Sequence, residues 1–223
     1  MNTLKNIWVI NDDGINAAGI AKLAEHALHF GEVTVIAPES QCSAMSQRLT
    51  LDHPIYLTEV PFQVKGVKKA YSVNGTPADC ILSALDSGLF VPPDIVFSGI
   101  NDGTNVGVDI LYSGTVGAAM QALVYGIPAM AFSIDREAQD FSLVDEQMDD
   151  LIRDLLGKEI AYNELWNVNF PRSTPQEFAG IAYDRIPDNQ FHARNIAPAA
   201  ENTDLEAVAN GYISIGKLKN MIL

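Results

Sequence analysis

The chain has 223 residues, 48% hydrophobic and 19% charged, with a formal net charge of −14. That is enough apolar material for one large α/β core with an appendage, and no apolar run reaches the length of a helical membrane span. The acidic excess argues against a nucleic-acid polymer as partner, because such binding needs Lys and Arg against phosphates. A phosphate ligand would have to find positive potential locally: a divalent cation held by acidic groups, a helix N-terminus, or backbone N–H groups.

Taken in order, the chain starts with Met1-Asn2-Thr3-Leu4-Lys5-Asn6, which has no apolar signal core, so the protein reads as cytoplasmic. Ile7–Ile10 is a short apolar strand. A helix over about residues 18–30 carries Ile20, Leu23, Ala24, Ala27 and Leu28 on one face, and Val33–Ala37 is a second strand. A polar loop runs from Pro38 to Arg48, and Leu49–Leu51 with Ile55–Leu57 read as a hairpin. Ala70–Val73 is a strand; Asn74-Gly75-Thr76-Pro77 turns the chain into a helix over about 78–87. Asp94–Gly99 is a strand after Pro92-Pro93, then come a Gly-rich loop, a helix over about 115–125 and a strand over 129–134. Phe141–Leu156 has helical periodicity, Leu165–Asn169 is a further strand, and Pro171–Asp204 is irregular. Strands alternating with helices predict a Rossmann-like, mostly parallel sheet with helices on both faces.

The densest chemistry is Asn11-Asp12-Asp13-Gly14, directly after the first strand. Two adjacent carboxylates do not belong inside a sheet, and burying them unpaired is costly. At the strand's carboxyl end, where open α/β sheets bind ligands, both can turn toward one point. Two hard oxygen donors suit Mg²⁺, Mn²⁺ or Ca²⁺. The competing reading is a turn whose aspartates cap the next helix. Three more loops fall at strand ends: Pro38–Ser46, Ser98–Gly107, and Tyr112–Gly117, in which Ser113 is a helix N-cap candidate in front of small residues.

Cys42 and Cys80 form no CxxC pair and read as reduced thiols. His26 and His29 share a helix face at i, i+3, but no third metal ligand is evident, so they read as solvated surface groups. His53 precedes Pro54 in a turn, and His192 lies in the irregular segment, within reach of a neighbouring site.

Five motifs occur in order: Asn11-Asp12-Asp13-Gly14, the Ser43…Ser46 loop, Gly75-Thr76-Pro77-Ala78-Asp79-Cys80, Ser98-Gly99-Ile100-Asn101 with Asn105, and Tyr112-Ser113-Gly114-Thr115-Val116-Gly117-Ala118-Ala119. Over about residues 7–133 the chain resembles the SurE family of survival proteins with 5′/3′-nucleotidase activity. The resemblance implies an α/β core, one divalent metal ion per chain (Mg²⁺ or Mn²⁺, with Ca²⁺ as a crystal substitute) and hydrolysis of nucleoside 5′- and also 3′-monophosphates. Carried over by motif, it implies Asp12, Asp13, Ser43 and Asn101 as metal ligands. Asn11, Ser46, Asn105, Tyr112, Ser113, Gly114 and Thr115 become the phosphate surroundings. Asp12, Asp13 and Asn105 are then the catalytic set: an aspartate takes a proton from water, or forms an aspartyl-phosphate, while Asn105, Ser113 and Thr115 orient the phosphoryl group.

The chain departs from the family pattern at Ser40, Gln41 and Cys42, where basic residues are frequent, at Ala44, where Gly is usual, and at Gln121-Ala122, where Glu-Gly is common. The altered loop leaves a nucleotide-binding regulator with little turnover as the alternative function, and a structural α/β protein as a further one. The C-terminal part keeps Asn167-Val168-Asn169-Phe170-Pro171, Thr203-Asp204 and Gly211-Tyr212-Ile213-Ser214. Trp166, Phe170, Phe178, Tyr183, Phe191 and Tyr212 need a surface to bury against, and an irregular segment offers little of its own. The expected division is therefore a metal- and phosphate-binding core over 1–165 and an irregular oligomerisation arm over 166–223, packed on a partner subunit in a homodimer or higher homo-oligomer. A membrane and a nucleic-acid polymer are not expected partners.

Overall fold

Alternation along Ile7-Trp8-Val9-Ile10 places successive side chains on opposite faces of a sheet, and both faces are covered. Ile7 and Val9 join one apolar cluster, Trp8 and Ile10 the other. In the computed structural model, which describes residues 4–191 and 198–222, this segment is β1 (Asn6–Ile10), near the middle of a nine-stranded sheet. The other strands are β2 (Glu32–Pro38), β3 (Leu57–Glu59), β4 (Lys69–Val73), β5 (Ile95–Asp102), β6 (Ala129–Ile134), β7 (Glu164–Phe170), β8 (Gly180–Ala182) and β9 (Tyr212–Lys219). They lie in the order β3-β4-β2-β1-β5-β6-β7-β9-β8. All pairings from β4 through β7 are parallel; β3 and β9 run antiparallel to β4 and β7.

The helices are α1 (Ala18–Ala27), α2 (Pro77–Asp86), α3 (Gly114–Val124), α4 (Ser142–Leu156) and α5 (Asp204–Ala209). Side chains of α1 and α4 enter the first apolar cluster, those of α2 and α3 the second, so helices cover both faces as the alternation predicts. No helix among the described residues is long and apolar enough to cross a membrane. The Gly75–Cys80 motif starts α2 through a capping box: Thr76 and Asp79 exchange side-chain and backbone hydrogen bonds. Asp79 also accepts Thr50 N–H and O–H at 3.0 and 2.6 Å, fastening the long loop after β2.

Two expectations need correction. Leu49–Leu51 forms no strand; the antiparallel partner of β4 is Leu57–Glu59, because Thr50 is held by Asp79 instead of by a ladder. The end of the chain is also more regular than expected: beyond residue 203 come a helix and β9, while the described residues of 171–203 are irregular apart from β8. β7 and β9 pair from Glu164↔Lys219 to Asn169↔Ser214 within one chain. Trp166 and Phe170 lie in the core, Phe178 and Tyr183 pack against it, and Phe191 stacks on Tyr112. These aromatics have their surface within their own chain. His192 lies outside the described residues.

The strand order reverses at β1: from it the chain builds outward through β2 and β4, then returns to place β5 on the other side. That is the switch point of a doubly wound sheet, where the loops leaving neighbouring strands part and open a crevice at the carboxyl edge. The loop after β1 carries Asp12 and Asp13, and β5 ends at Asn101 and Asp102.

Candidate metal and phosphate site

Asp12 is 4% exposed. Thr115, in the first turn of α3, donates its hydroxyl to Asp12 Oδ1 at 2.5 Å, and Cys42 N–H donates to the Asp12 carbonyl at 2.7 Å. Burial pushes the Asp12 carboxyl up to about 6; the Thr115 hydroxyl pulls it down and neighbouring Asp13 pushes it up. Asp13 is less buried. It accepts Asp102 N–H at 3.0 Å on Oδ2 and Gln41 Nε2 at 3.2 Å on Oδ1. Neither carboxylate faces a cation among these partners, so the pair is held together by neutral donors alone.

Gly114 has a different job from the one expected. A Cβ there would stand 2.8 Å from Asp12 Cβ and 3.2 Å from the Cys42 carbonyl, so the start of α3 is packed directly against Asp12. One turn on, a Cβ at Gly117 would meet the Ser46 carbonyl at 2.1 Å. These two glycines let the loop after β2 and the start of α3 close over β1. Ser113 caps α3 through its side chain, accepting Val116 N–H at 3.1 Å.

An open cleft of about 670 Å³ lies over this floor. Asp12, Ser43, Asn101, Asn105, Tyr112 and Ser113 all line it. Asn101 spends its Nδ2 on the Gly103 carbonyl at 2.6 Å. Asp13 faces an adjoining cavity of about 430 Å³ that shares Asp102, Asp135 and Arg136 with the first. Asn11 and Ser46 are not brought into the cleft. Asn11 closes the turn by exchanging hydrogen bonds with Gly14, and Ser46 donates to the Leu111 carbonyl at 2.8 Å. Thr115 reaches the site through Asp12.

Asn105 is locked by its neighbours on the sheet. Its N–H donates to Asn169 Oδ1 at 2.7 Å, its Nδ2 to Ser133 Oγ at 2.8 Å, and its carbonyl accepts Asn167 Nδ2 at 2.9 Å. Asn167 and Asn169 are two apart on β7 and so share a face, a signal already present in Asn167-Val168-Asn169. Asn169→Leu is expected to destabilise the protein by about 1–3 kcal/mol, because it leaves the buried Asn105 N–H unpaired; urea unfolding measures this.

Residues that sequence reasoning missed supply the only arginines lining the cleft among the described residues. Arg136 donates to the Asp102 carbonyl at 2.7 Å, and Arg172 pairs with Glu137 at 2.5 Å. Nothing in the local pattern around either flags it; β6 and β7 carry them to the rim from separate parts of the chain. Val208 and Ala209 of α5 close one end, and Asp204 ties that helix to Gly107 N–H at 2.9 Å. The Thr104 hydroxyl is buried at the cleft with no hydrogen-bond partner among the described residues.

The departures from the family pattern also have structural readings. Ala44 adopts φ +57, a backbone region where Gly is favoured. Gln121 is buried and accepts Gln47 Nε2 at 2.7 Å, a neutral pair across loop and helix.

Residues 7–193 match the family model described as Survival protein SurE. A 5′-nucleotidase SurE from Clostridium botulinum (strain 657 / Type Ba4) is 39% identical over 194 residues, covering 85% of this chain and 75% of that protein. One from Moorella thermoacetica is 36% identical over 232 residues, covering 95% and 89%. One from Neisseria gonorrhoeae is 40% identical over 195 residues, covering 87% and 76%. The crystal structure of the SurE protein from Aquifex aeolicus superposes with a TM-score of 0.79 at 33% identity, covering 96% of this chain and 93% of that one.

Proposed function

This chain belongs to the SurE family, and from that premise we propose that it is a divalent-metal-dependent phosphomonoesterase that hydrolyses nucleoside 5′-monophosphates, and 3′-monophosphates as a further class, to nucleoside and phosphate. The observation that supports this most is Asp12: a buried carboxylate beside Asp13, braced by Thr115, under a cleft whose lining includes Ser43, Asn101, Asn105 and Ser113.

The donor set fits a hard divalent cation. Asp12 and Asp13 supply charge, Ser43 and Asn101 neutral oxygens, and the raised Asp12 carboxyl marks a spot where an added positive charge is favoured. We assign these four residues to one Mg²⁺ or Mn²⁺ per chain. When bound, that ion offsets phosphoryl charge and makes water a better nucleophile. The chain's own residues do the rest. Asn105, rigid in its network with Ser133 and Asn169, and Ser113 at the start of α3 orient the phosphoryl oxygens. One of the two aspartates, Asp12 or Asp13, accepts the proton of water. Arg136 and Arg172 are guanidiniums at the rim, each beside an acid of the same cleft, Asp102 and Glu137.

The deciding measurement is phosphate release from AMP and GMP by the full chain, with Mg²⁺ or Mn²⁺ and with chelator. Turnover abolished by chelator is expected. Nucleotide binding without turnover would favour the regulator. Absence of metal binding would leave only the structural protein.

We also infer a homodimer. Its support is the exposed apolar residues of the C-terminal part, Ile186, Met221 and Ile222, the last two 81% and 95% exposed. Light scattering at micromolar concentration should give twice the chain mass; a monomer there would refute it.

A further inference from the structure

Far from the cleft, the end of α1 meets α4. The chain order puts this contact at the opposite edge of the sheet: α1 starts just after Asp12 and Asp13 and ends just before β2 begins. His26 is largely buried, and its Nδ1 lies 2.6 Å from Asp149 Oδ1. His29, one turn on, places its own Nδ1 2.6 Å from Asp149 Oδ2. One donor atom from each of the three residues can be chosen so that all lie within 4.8 Å of one another. The two histidines are three residues apart, which sets them on one face of the helix. The third ligand is more than a hundred residues away in the chain, which is why the sequence alone reads the pair as surface histidines.

We propose that His26, His29 and Asp149 form a second cation site, of the zinc class, that ties the end of α1 to α4.

The chemistry of the donors separates it from the first site. Two imidazole nitrogens and one carboxylate suit Zn²⁺, and disfavour Mg²⁺ and Ca²⁺, which prefer oxygen. Zinc bonds of about 2.0–2.1 Å in a tetrahedron hold neighbouring donors roughly 3.3 Å apart. The present 2.6 Å contacts therefore have to open by about 0.7 Å, and the imidazole donors, within 4.8 Å of each other, have to come to that same spacing.

A second feature points to a cation. The far nitrogen of His26, Nε2, faces Asp145 Oδ1 at 3.4 Å. If Nδ1 binds the metal, neutral imidazole carries its proton on Nε2, and Asp145 accepts it. That carboxylate–histidine–metal arrangement fixes the tautomer and strengthens the ligand. Lys22 pairs with Glu25 at 3.0 Å and with Asp145 at 2.8 Å, while the ion-pair contacts of Asp149 are with the two imidazoles. His29 is more than half exposed, so the fourth coordination position opens to water.

The test must keep the two sites apart. The full chain carrying Asp13→Asn, which disables the first site, is dialysed against Zn²⁺ and its zinc content measured. One zinc per chain is expected. With zinc about a hundredfold above Kd, its melting temperature should rise by roughly 5–10 °C. Adding His29→Ala, at an exposed position, or Asp149→Asn should weaken zinc binding at least about tenfold and remove the thermal shift. A purely hydrogen-bonded staple gives a different result: no zinc on the Asp13→Asn protein, or zinc binding unchanged by both second substitutions. Either result overturns the proposal.

Discussion

Asp12→Asn is expected to cut metal-dependent phosphate release by at least about a hundredfold, the scale seen when a key electrostatic group is lost from a reacting centre. The same substitution should make the metal-free protein more stable at neutral pH. Asp12 has its carboxyl at about 6 in the folded chain against 3.8 as the ordinary value. Between those values the folded state holds a proton that the unfolded state has released. Stability from this group is thus fully present below about pH 4 and falls as pH rises toward 6. Above that the cost stays constant, on the order of 3 kcal/mol. Asn does not titrate. Urea unfolding in chelator should show the variant ahead of the parent at pH 8, with the gap closing toward pH 4. A gap that does not change with pH would mean that Asp12 is not held in its present environment. Asp13→Asn is expected to lose activity on a similar scale, with a smaller stability change because Asp13 is less buried.

Gly114→Val is expected to abolish cation binding and activity together. From sequence, the glycine reads as giving phosphate close access to the helix, so a larger side chain should raise KM and spare the metal. The packing says otherwise. The first atom of any side chain at this position lands 2.8 Å from Asp12 Cβ, and the Cys42 backbone closes the other side. Asp12 has to move, and a ligand proposed for the cation moves with it. Calorimetric titration with Mn²⁺ should show affinity at least about tenfold weaker. Unchanged Mn²⁺ affinity with a raised KM would restore the sequence reading.

The sheet is legible in the sequence because its strands are buried on both faces and read as plain apolar runs. Val33–Ala37 and Ala129–Ile134 leave little choice, and the Gly and Pro punctuation around them sets their ends to within a few residues. What escapes is informative. β9 sends Ile213 and Ile215 to one apolar cluster and Leu218 to the other, with Gly216 between them, whose Cβ would collide with the Arg185 carbonyl, so the strand reads as irregular chain. The site is legible where chemistry is written in adjacent residues, as at Asp12-Asp13. It is not where a group acts through a neighbour brought by the fold. Thr115 has the look of a phosphate donor and instead holds Asp12; Asn169 carries no role until β7 sets it beside Asn105. Asn11 and Ser46 belong to the same motifs as the proposed ligands, yet their side chains hold the loops in shape.

The partners that define the cleft floor are remote along the chain: Asp12 meets Thr115 across 103 positions, and Asn105 meets Asn169 across 64. Each contact closes a long loop, and the entropy of closure is spent before either side chain is in place. No local fragment of the chain can pre-form the pocket. On the proposed ligand set the cation is a late arrival in folding: it has nothing to grip until β1, β2 and β5 are side by side. Adding it at the start of refolding should leave the early rates unchanged and slow only the unfolding of the finished molecule.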